Sequence, residues 1–369
     1  MINTVVDIGL LGLLLATTLL IMRSQSALSI TILSSIYSLI LCALFVVLDA
    51  VDVAFTEAAV GAGISLILFV AVIRHNDEPS NNKPGNNKPG NNKPGNNKLG
   101  TDAPGLKSAW PSGLSICLGL ALGILLISGT TDMPLYGDPA AAIHHYLAPR
   151  FLGQSAAEIG IPNVVTSVLA SYRGYDTLGE VVVIFTAGMA VLLLLAEGAV
   201  TTKPLGKQPG LWSRRDPLIS NPVLKTVLLR FIPIVILFAL YVQFHGDYGP
   251  GGGFQAGVIF GAGLITFGLL TDSEKLQSVI SERIVISGMA CGVLLYGSVG
   301  VAALFFGGDF LDYSVFNYSV LSESQTAGQH LGVFLIELGV GITVASTIVS
   351  LFISFNRRHF NQSQDEFPG

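Results

Sequence analysis

Nine apolar runs leave this chain almost no choice of solvent. They cover Thr4–Met22, Ala27–Leu48, Val53–Ile73, Ser112–Ser128, Thr177–Ala196, Leu224–Val242, Gly252–Leu270, Arg283–Phe306 and His330–Ser354. Each approaches the roughly 20 residues a helix needs to cross about 30 Å of hydrocarbon. Backbone groups in lipid must be satisfied internally, so runs of this length predict helices. Only 12% of the residues are charged, where a soluble domain carries about a quarter. The expected fold is an all-α integral membrane protein with nine transmembrane helices. The first run is too long for a signal peptide and lacks a small-residue cleavage site, so it reads as a span.

Lys and Arg accumulate on the cytoplasmic side of membrane proteins. With the N-terminus outside, seventeen of the nineteen fall inside, and only Arg150 and Arg173 fall outside. Nine spans then put the C-terminus in the cytoplasm. This is the localisation of a multi-pass protein of a bacterial or archaeal cytoplasmic membrane.

The spans group as three, two and four. Residues 1–75 form a three-helix unit with short connections, and 76–106 form a linker with three perfect NNKPG repeats and a fourth carrying Leu99. Such a segment has nothing to bury, so it is expected to be a disordered tether. Residues 107–200 hold two spans separated by a long outer loop, Gly129–Asp176, with an interfacial helix from Pro139 to Leu147 ended by Pro149. Residues 201–222 are a second, basic, Pro- and Gly-containing joint. Residues 223–358 carry four spans, and 359–369 are a polar tail.

Between the sixth and seventh runs lies YVQFHGDYGPGGGFQAG, Tyr241–Gly257. Irregular backbone at membrane depth survives only against protein or along a wet cavity. Pro250 and the glycines Gly251, Gly252 and Gly253 form a structural motif that lets one backbone approach another. His245 and Asp247 immediately before it suggest a polar path, although a turn-stabilising role explains them equally well.

Ionisable side chains inside a span are expensive and are functional candidates by default. Glu337 lies about 10 Å into the last run at 1.5 Å per residue, with His330 seven residues earlier on the same face. Its alternative role is a neutral, hydrogen-bonded structural carboxyl. Glu57 follows Asp49 and Asp52, an acidic mouth that could gather cations. Glu180 closes Thr177-Leu178-Gly179-Glu180, which reads as a capping box. His144 and His145 are adjacent, so they face different ways and suit a proton relay near the outer surface better than one metal. Cys42, Cys117 and Cys291 read as small apolar core residues. No metal, redox or nucleotide motif appears, so no cofactor and no nucleic acid partner are expected.

HGDYGPGGGFQAGV resembles the signature of the B subunit of multisubunit sodium/proton antiporters of the Mrp or Mnh type. FLIELGVGITVASTIVSLF, 334–352, is similar to the last helix of that subunit. IPNVVTSVLASYRGYDTLGEVVVIFTAG, 161–188, resembles the hydrogenase E-type unit that also ends the antiporter's large A subunit. TEAAVGAGISLILFVAVIRH, 56–75, resembles the D-type unit before it, which is related to a complex I subunit. The resemblance implies a π-bulge behind Glu57 and a transport role at Glu180. It also implies an accessory subunit rather than an enzyme, working with other antiporter subunits in the lipid bilayer on Na+ and H+. Glu57 and Glu180 would join a cation or proton path, and His245, Asp247, His330 and Glu337 would line an adjoining cavity. The alternatives are a module of a redox-driven pump, such as a membrane-bound hydrogenase, and a purely structural scaffold.

Overall fold

The computed structural model describes residues 2–76, 112–135, 137–196, 221–271, 273–317 and 326–365. The NNKPG repeats, the basic joint up to residue 220 and the last four residues lie outside the described residues. Every regular element described is helical. Eight helices are long and apolar enough to cross a membrane, and Ile116–Thr130 is a shorter apolar helix.

Contacts divide the chain into two units, one of Met1–Glu78 with Phe151–Gly369 and one of Pro79–Arg150. The smaller unit contains α4 (Ser112–Thr130) and a π-helical turn, Ile143–Leu147. The expected end at Pro149 does not occur, because the chain continues into α5 (Ala148–Glu158). Ala148 N–H donates back to the Ile143 carbonyl. That five-residue step widens the turn at the point where a proline ring would otherwise strike a carbonyl four residues earlier.

The larger unit begins with α1 (Ile2–Arg23) and α2 (Ala27–Val47). Next, α3 runs as α-helix over Val51–Glu57, as π-helix over Ala58–Ile64, and as α-helix again over Ser65–Asn76. The π segment falls on AAVGAGI, as the resemblance implied. Small side chains leave room for the wider turn. Ser35 on α2 donates to the Ala62 carbonyl at 2.9 Å, a group within the π segment.

The stretch expected as a long outer loop is largely helical. After α5, a single α-turn at Val164–Thr166 widens into a second π segment, Ser167–Tyr172. α6 then covers Gly174–Ala196, so Thr177 lies inside the helix and the capping box does not form. Long-range bonds set the earlier start, with Tyr296 donating to the Gly174 carbonyl at 2.6 Å and Tyr313 to the Ala170 carbonyl at 2.9 Å. Burial pushes the Tyr313 phenol above its ordinary pKa.

The last part comprises α7 (Pro222–His245), α8 (Gly253–Leu270), the short α9 (Ser273–Val279), α10 (Glu282–Phe305) and α11 (Ala327–Asp365). α11 is the axis of the unit and packs on α10, α8 and α6. Glycine makes the approach close. A Cβ at Gly257 would lie 2.7 Å from the Gly341 carbonyl oxygen, and one at Gly339 would lie 2.7 Å from the Gly292 carbonyl oxygen. Small residues at such crossings are how helices pack in lipid, where no hydrophobic force draws them together. The cysteines are not core residues as expected. Cys117 and Cys291 are exposed and Cys42 is half-buried. In lipid an apolar thiol gains little from burial, so these positions are free to face outward.

Candidate functional site

Three carboxylates from three separate stretches converge on one cavity of about 340 Å³. Asp52 comes from the start of α3, Glu180 from α6 and Glu337 from α11. The glycine run Gly251–Gly253 forms one wall. Threonine and glutamine supply most of the remaining polar lining, and Ile184, Ile336 and Val340 supply apolar lining.

The glycine run can occupy this wall only as glycine. Gly251 has φ 154° and Gly252 has φ 119°, values that side chains resist. Gly252 N–H donates to the Val242 carbonyl at 3.2 Å. Gly251 N–H donates to Asp52 Oδ1 at 3.1 Å, which joins the turn to α3. A Cβ at Gly246 would lie 2.9 Å from Glu337 Oε2, and one at Gly252 would lie 2.9 Å from Glu337 Oε1. Glu337 is thus wrapped by bare backbone on one side and faces the cavity on the other.

Asn163 clasps the same turn from the second stretch. Its Nδ2 donates to the carbonyls of Gly246 at 3.1 Å and Gly249 at 2.9 Å. Its backbone N–H donates to the Asp247 carbonyl at 3.0 Å. Its Oδ1 accepts from Val165 N–H at 3.0 Å, capping the short helix behind it. Thr166 Oγ1 adds a bond to the Gly246 carbonyl at 2.7 Å.

The hydroxyls give the cavity its chemical sign. Thr56 donates to the Asp52 carbonyl at 3.0 Å, Thr166 to Gly246, and Thr177 to the Leu169 carbonyl at 2.8 Å. A hydroxyl has one proton and two lone pairs. With each proton committed to backbone, these groups present acceptors alone. Carboxylates and acceptor-only oxygens suit a cation and repel an anion.

The remaining sequence candidates lie elsewhere. His330 Nδ1 meets Asp247 Oδ2 at 2.7 Å, with side-chain exposures of 29% and 15%, and the Tyr248 ring stacks on His330. This pair sits beside the turn and about 10 Å along α11 from Glu337 at 1.5 Å per residue. His245 stacks on Tyr241 with ring centroids 5.0 Å apart and lies against Gly249. Glu57 does not line the cavity. Its carboxylate and Ser38 both approach Gly61, on the side of α3 that faces α2. Asp49 is exposed at the α2–α3 turn with φ 57°. His144 and His145 are exposed in the smaller unit. Among the described residues no group of His, Cys, Asp and Glu is placed to hold a metal.

Sequence reasoning missed Asn163, Thr56, Thr166 and Gln255, and read Thr177 only as a helix cap. A signal was present for two of them. Asn163 follows a proline and precedes Val-Val, an N-cap pattern, and Thr56 is a polar residue one step from an acid within an apolar run.

Fold and site together define a helical membrane protein with an acidic, acceptor-lined cavity built by three chain segments. Known proteins divide the chain in a corresponding way. Residues 223–350 match a domain related to the MnhB subunit of Na+/H+ antiporter. Residues 12–78 match the D subunit of MBH, and residues 132–200 match its E subunit. A putative antiporter subunit mnhB2 of Staphylococcus aureus (strain Newman) is 33% identical over 141 residues, which are 37% of this chain and 95% of that protein. A probable K(+)/H(+) antiporter A/B subunit of Rhizobium meliloti (strain 1021) is 24% identical over 283 residues, 69% of this chain and 26% of the relative. A chain in the structure of the Mrp complex from Dietzia sp. DQ12-45-1b superposes with a TM-score of 0.64 at 25% identity, covering 94% of this chain and 34% of that one. The chain belongs to the MnhB-related family of antiporter subunits. It spans about a quarter of the Rhizobium relative and a third of the Dietzia chain.

Proposed function

We propose that this chain is a membrane subunit of a multisubunit monovalent cation/proton antiporter and contributes part of the translocation path. Its role is transport rather than chemical conversion. Its partners are the other subunits of the complex, the lipid bilayer, and the ions Na+ or K+ and H+. The proposed topology has nine spans, with the shorter Ile116–Thr130 helix as the fourth. The N-terminus lies outside and the C-terminus in the cytoplasm. The proposed organisation is a D-like unit over 1–75, an E-like unit over 107–200 and a B-subunit domain over 223–358. The segments 76–106 and 201–222 act as tethers, and 359–369 as a tail.

One observation carries this reading. Asp52, Glu180 and Glu337 are far apart in sequence and belong to three differently matched segments, yet they line one cavity. An acid in lipid is costly, and three in one cavity repel one another unless a cation or protons compensate. A carboxylate that can hold either a proton or a metal cation is the element an exchanger needs. The His330–Asp247 pair beside the turn is the nearest titratable group outside this cavity on α11, and it suits proton delivery. Glu57, on the α2 side of the widened π turn, belongs to a second branch of the route. Asp49, His144 and His145 are proposed as outer groups that collect cations or relay protons.

The test is Glu337→Gln and Glu180→Gln in the complete complex, read as cation-dependent proton movement in everted membrane vesicles. Each should abolish antiport while the complex still assembles. Retained antiport in both would leave the chain a scaffold.

A further inference from the structure

The proposed route does not use Gln255, the one carboxamide that lines the acidic cavity among the described residues. This residue sits on the first turn of α8, two residues after the glycine run, and is 8% exposed. Its Nε2 donates to Thr56 Oγ1 at 2.8 Å. Thr56 in turn donates its proton to the Asp52 carbonyl at 3.0 Å. With that proton committed, Thr56 can only accept from Gln255, because a hydroxyl carries a single hydrogen. While Thr56 keeps its bond to the Asp52 carbonyl, the carboxamide holds nitrogen toward Thr56 and oxygen away from it.

Among the described residues no hydrogen bond to Gln255 Oε1 is found, and Gln255 lines the cavity, so this oxygen is available to it. A neutral carbonyl oxygen beside three carboxylates offers nothing to an anion and a ligand to a cation. Hard cations take oxygen ligands of this kind, and the number and field strength of fixed carbonyl dipoles bear on which cation a site prefers.

We infer that Gln255 Oε1, held in place by Thr56, is a neutral ligand to the cation in this cavity and sets which alkali cation the cavity prefers. The inference rests on the cavity being the cation route. Thr56 acts here as the positioning residue, because the hydrogen bond it accepts from Gln255 Nε2 sets where Oε1 lies. The two residues come from different matched segments, so the preference belongs to the assembled fold and to neither segment alone.

The test uses the whole antiporter complex in everted membrane vesicles, with NaCl or KCl as the added salt. The measured quantity is the ratio of half-saturating Na+ to half-saturating K+. Thr56→Val keeps the shape of the side chain and removes the hydroxyl, which frees the carboxamide to turn. We expect the ratio to change about fivefold or more, the equivalent of one hydrogen-bond-sized interaction. Thr56→Ser restores the hydroxyl and should restore the ratio, which a merely structural defect would not predict. Gln255→Leu should change the ratio at least as far. An unchanged ratio in Thr56→Val and Gln255→Leu, with assembled complex, overturns the inference. Should Gln255→Leu fail to assemble, the Thr56→Val and Thr56→Ser pair decides alone. If Glu337→Gln and Glu180→Gln both retain antiport, the route itself is wrong and this inference falls with it. If they abolish antiport while the ratio is unmoved by Thr56→Val, only the inference falls.

Discussion

The cavity holding the acids and a second cavity of about 260 Å³ use the same two helices, α8 and α11, yet their chemistry is opposite. Gln255 and Glu337 line the first, whereas their immediate neighbours Ala256 and Leu338 line the second. A step of one residue turns about 100° around a helix at 3.6 residues per turn, enough to pass from one cavity to the other. The second cavity is completed by Ala239, Leu240 and Gln243 of α7, and its remaining lining from α8 and α11 is small or apolar apart from Ser346. The first is completed by α3, α6 and the Val164–Tyr172 stretch before α6, which bring two further acids and the threonines. What separates an acidic cavity from an almost wholly apolar one is therefore which further elements close each. α8 and α11 are common to both.

The most severe test of this contrast moves the acid by one residue. Glu337→Leu combined with Leu338→Glu keeps composition and length but shifts the carboxyl toward the α7 side. The double variant takes one of the three acids out of the first cavity, so antiport should fall about a hundredfold, equivalent to about 2.7 kcal/mol of barrier. Proton movement in vesicles, together with recovery of the assembled complex, measures it. Substantial antiport in the double variant would mean that the two cavities are connected and the contrast is false.

The sequence made the helices legible and left their sides hidden. Apolar runs located the spans because lipid constrains length and polarity so strongly. Glu337 and the glycine run stood out because an acid and an unwound segment are both costly in that setting. Glu57 drew attention over Asp52 because it lies deeper in its run. Only the packing reveals that Asp52 accepts from Gly251 while Glu57 turns toward Gly61 and Ser38. The π segment at Ala58–Ile64 shifts the register beyond Glu57, so a helical wheel misplaces every later residue of α3. Thr177 failed as a cap for a comparable reason. Tyr296 and Tyr313, more than 100 residues later, hold the backbone that starts α6, and no local pattern contains that information. Asn163 carried a local cap signal, but its grip on Gly246 and Gly249 spans more than 80 residues.

That grip gives the second, smaller test. Serine is also a good N-cap, so Asn163→Ser keeps the bond to the following helix and loses the two donors to the turn. Two neutral hydrogen bonds contribute about 2 kcal/mol together, and the wall carrying Gly252 would loosen against Glu337. The expected result is a normally assembled complex whose half-saturating cation concentration rises about tenfold. Titration of antiport against NaCl measures this. An unchanged titration would show that the acidic cavity keeps its shape without the clasp, leaving the three acids to hold it.

The smallest effect is expected on the dry side. Gln243 is 6% exposed and its Nε2 has no hydrogen-bond partner among the described residues, in a cavity otherwise almost wholly apolar. A buried donor left unpaired costs about 1–3 kcal/mol. Gln243→Leu removes that donor, keeps most of the volume, and lies one helix away from the three acids. The variant should unfold at an equal or higher temperature, with antiport and its cation preference as in the parent. Thermal unfolding of the detergent-solubilised complex and vesicle assays read the two properties separately. If Gln243→Leu instead lowers antiport, the second cavity is a wet part of the route, and its amide works alongside the acids rather than apart from them.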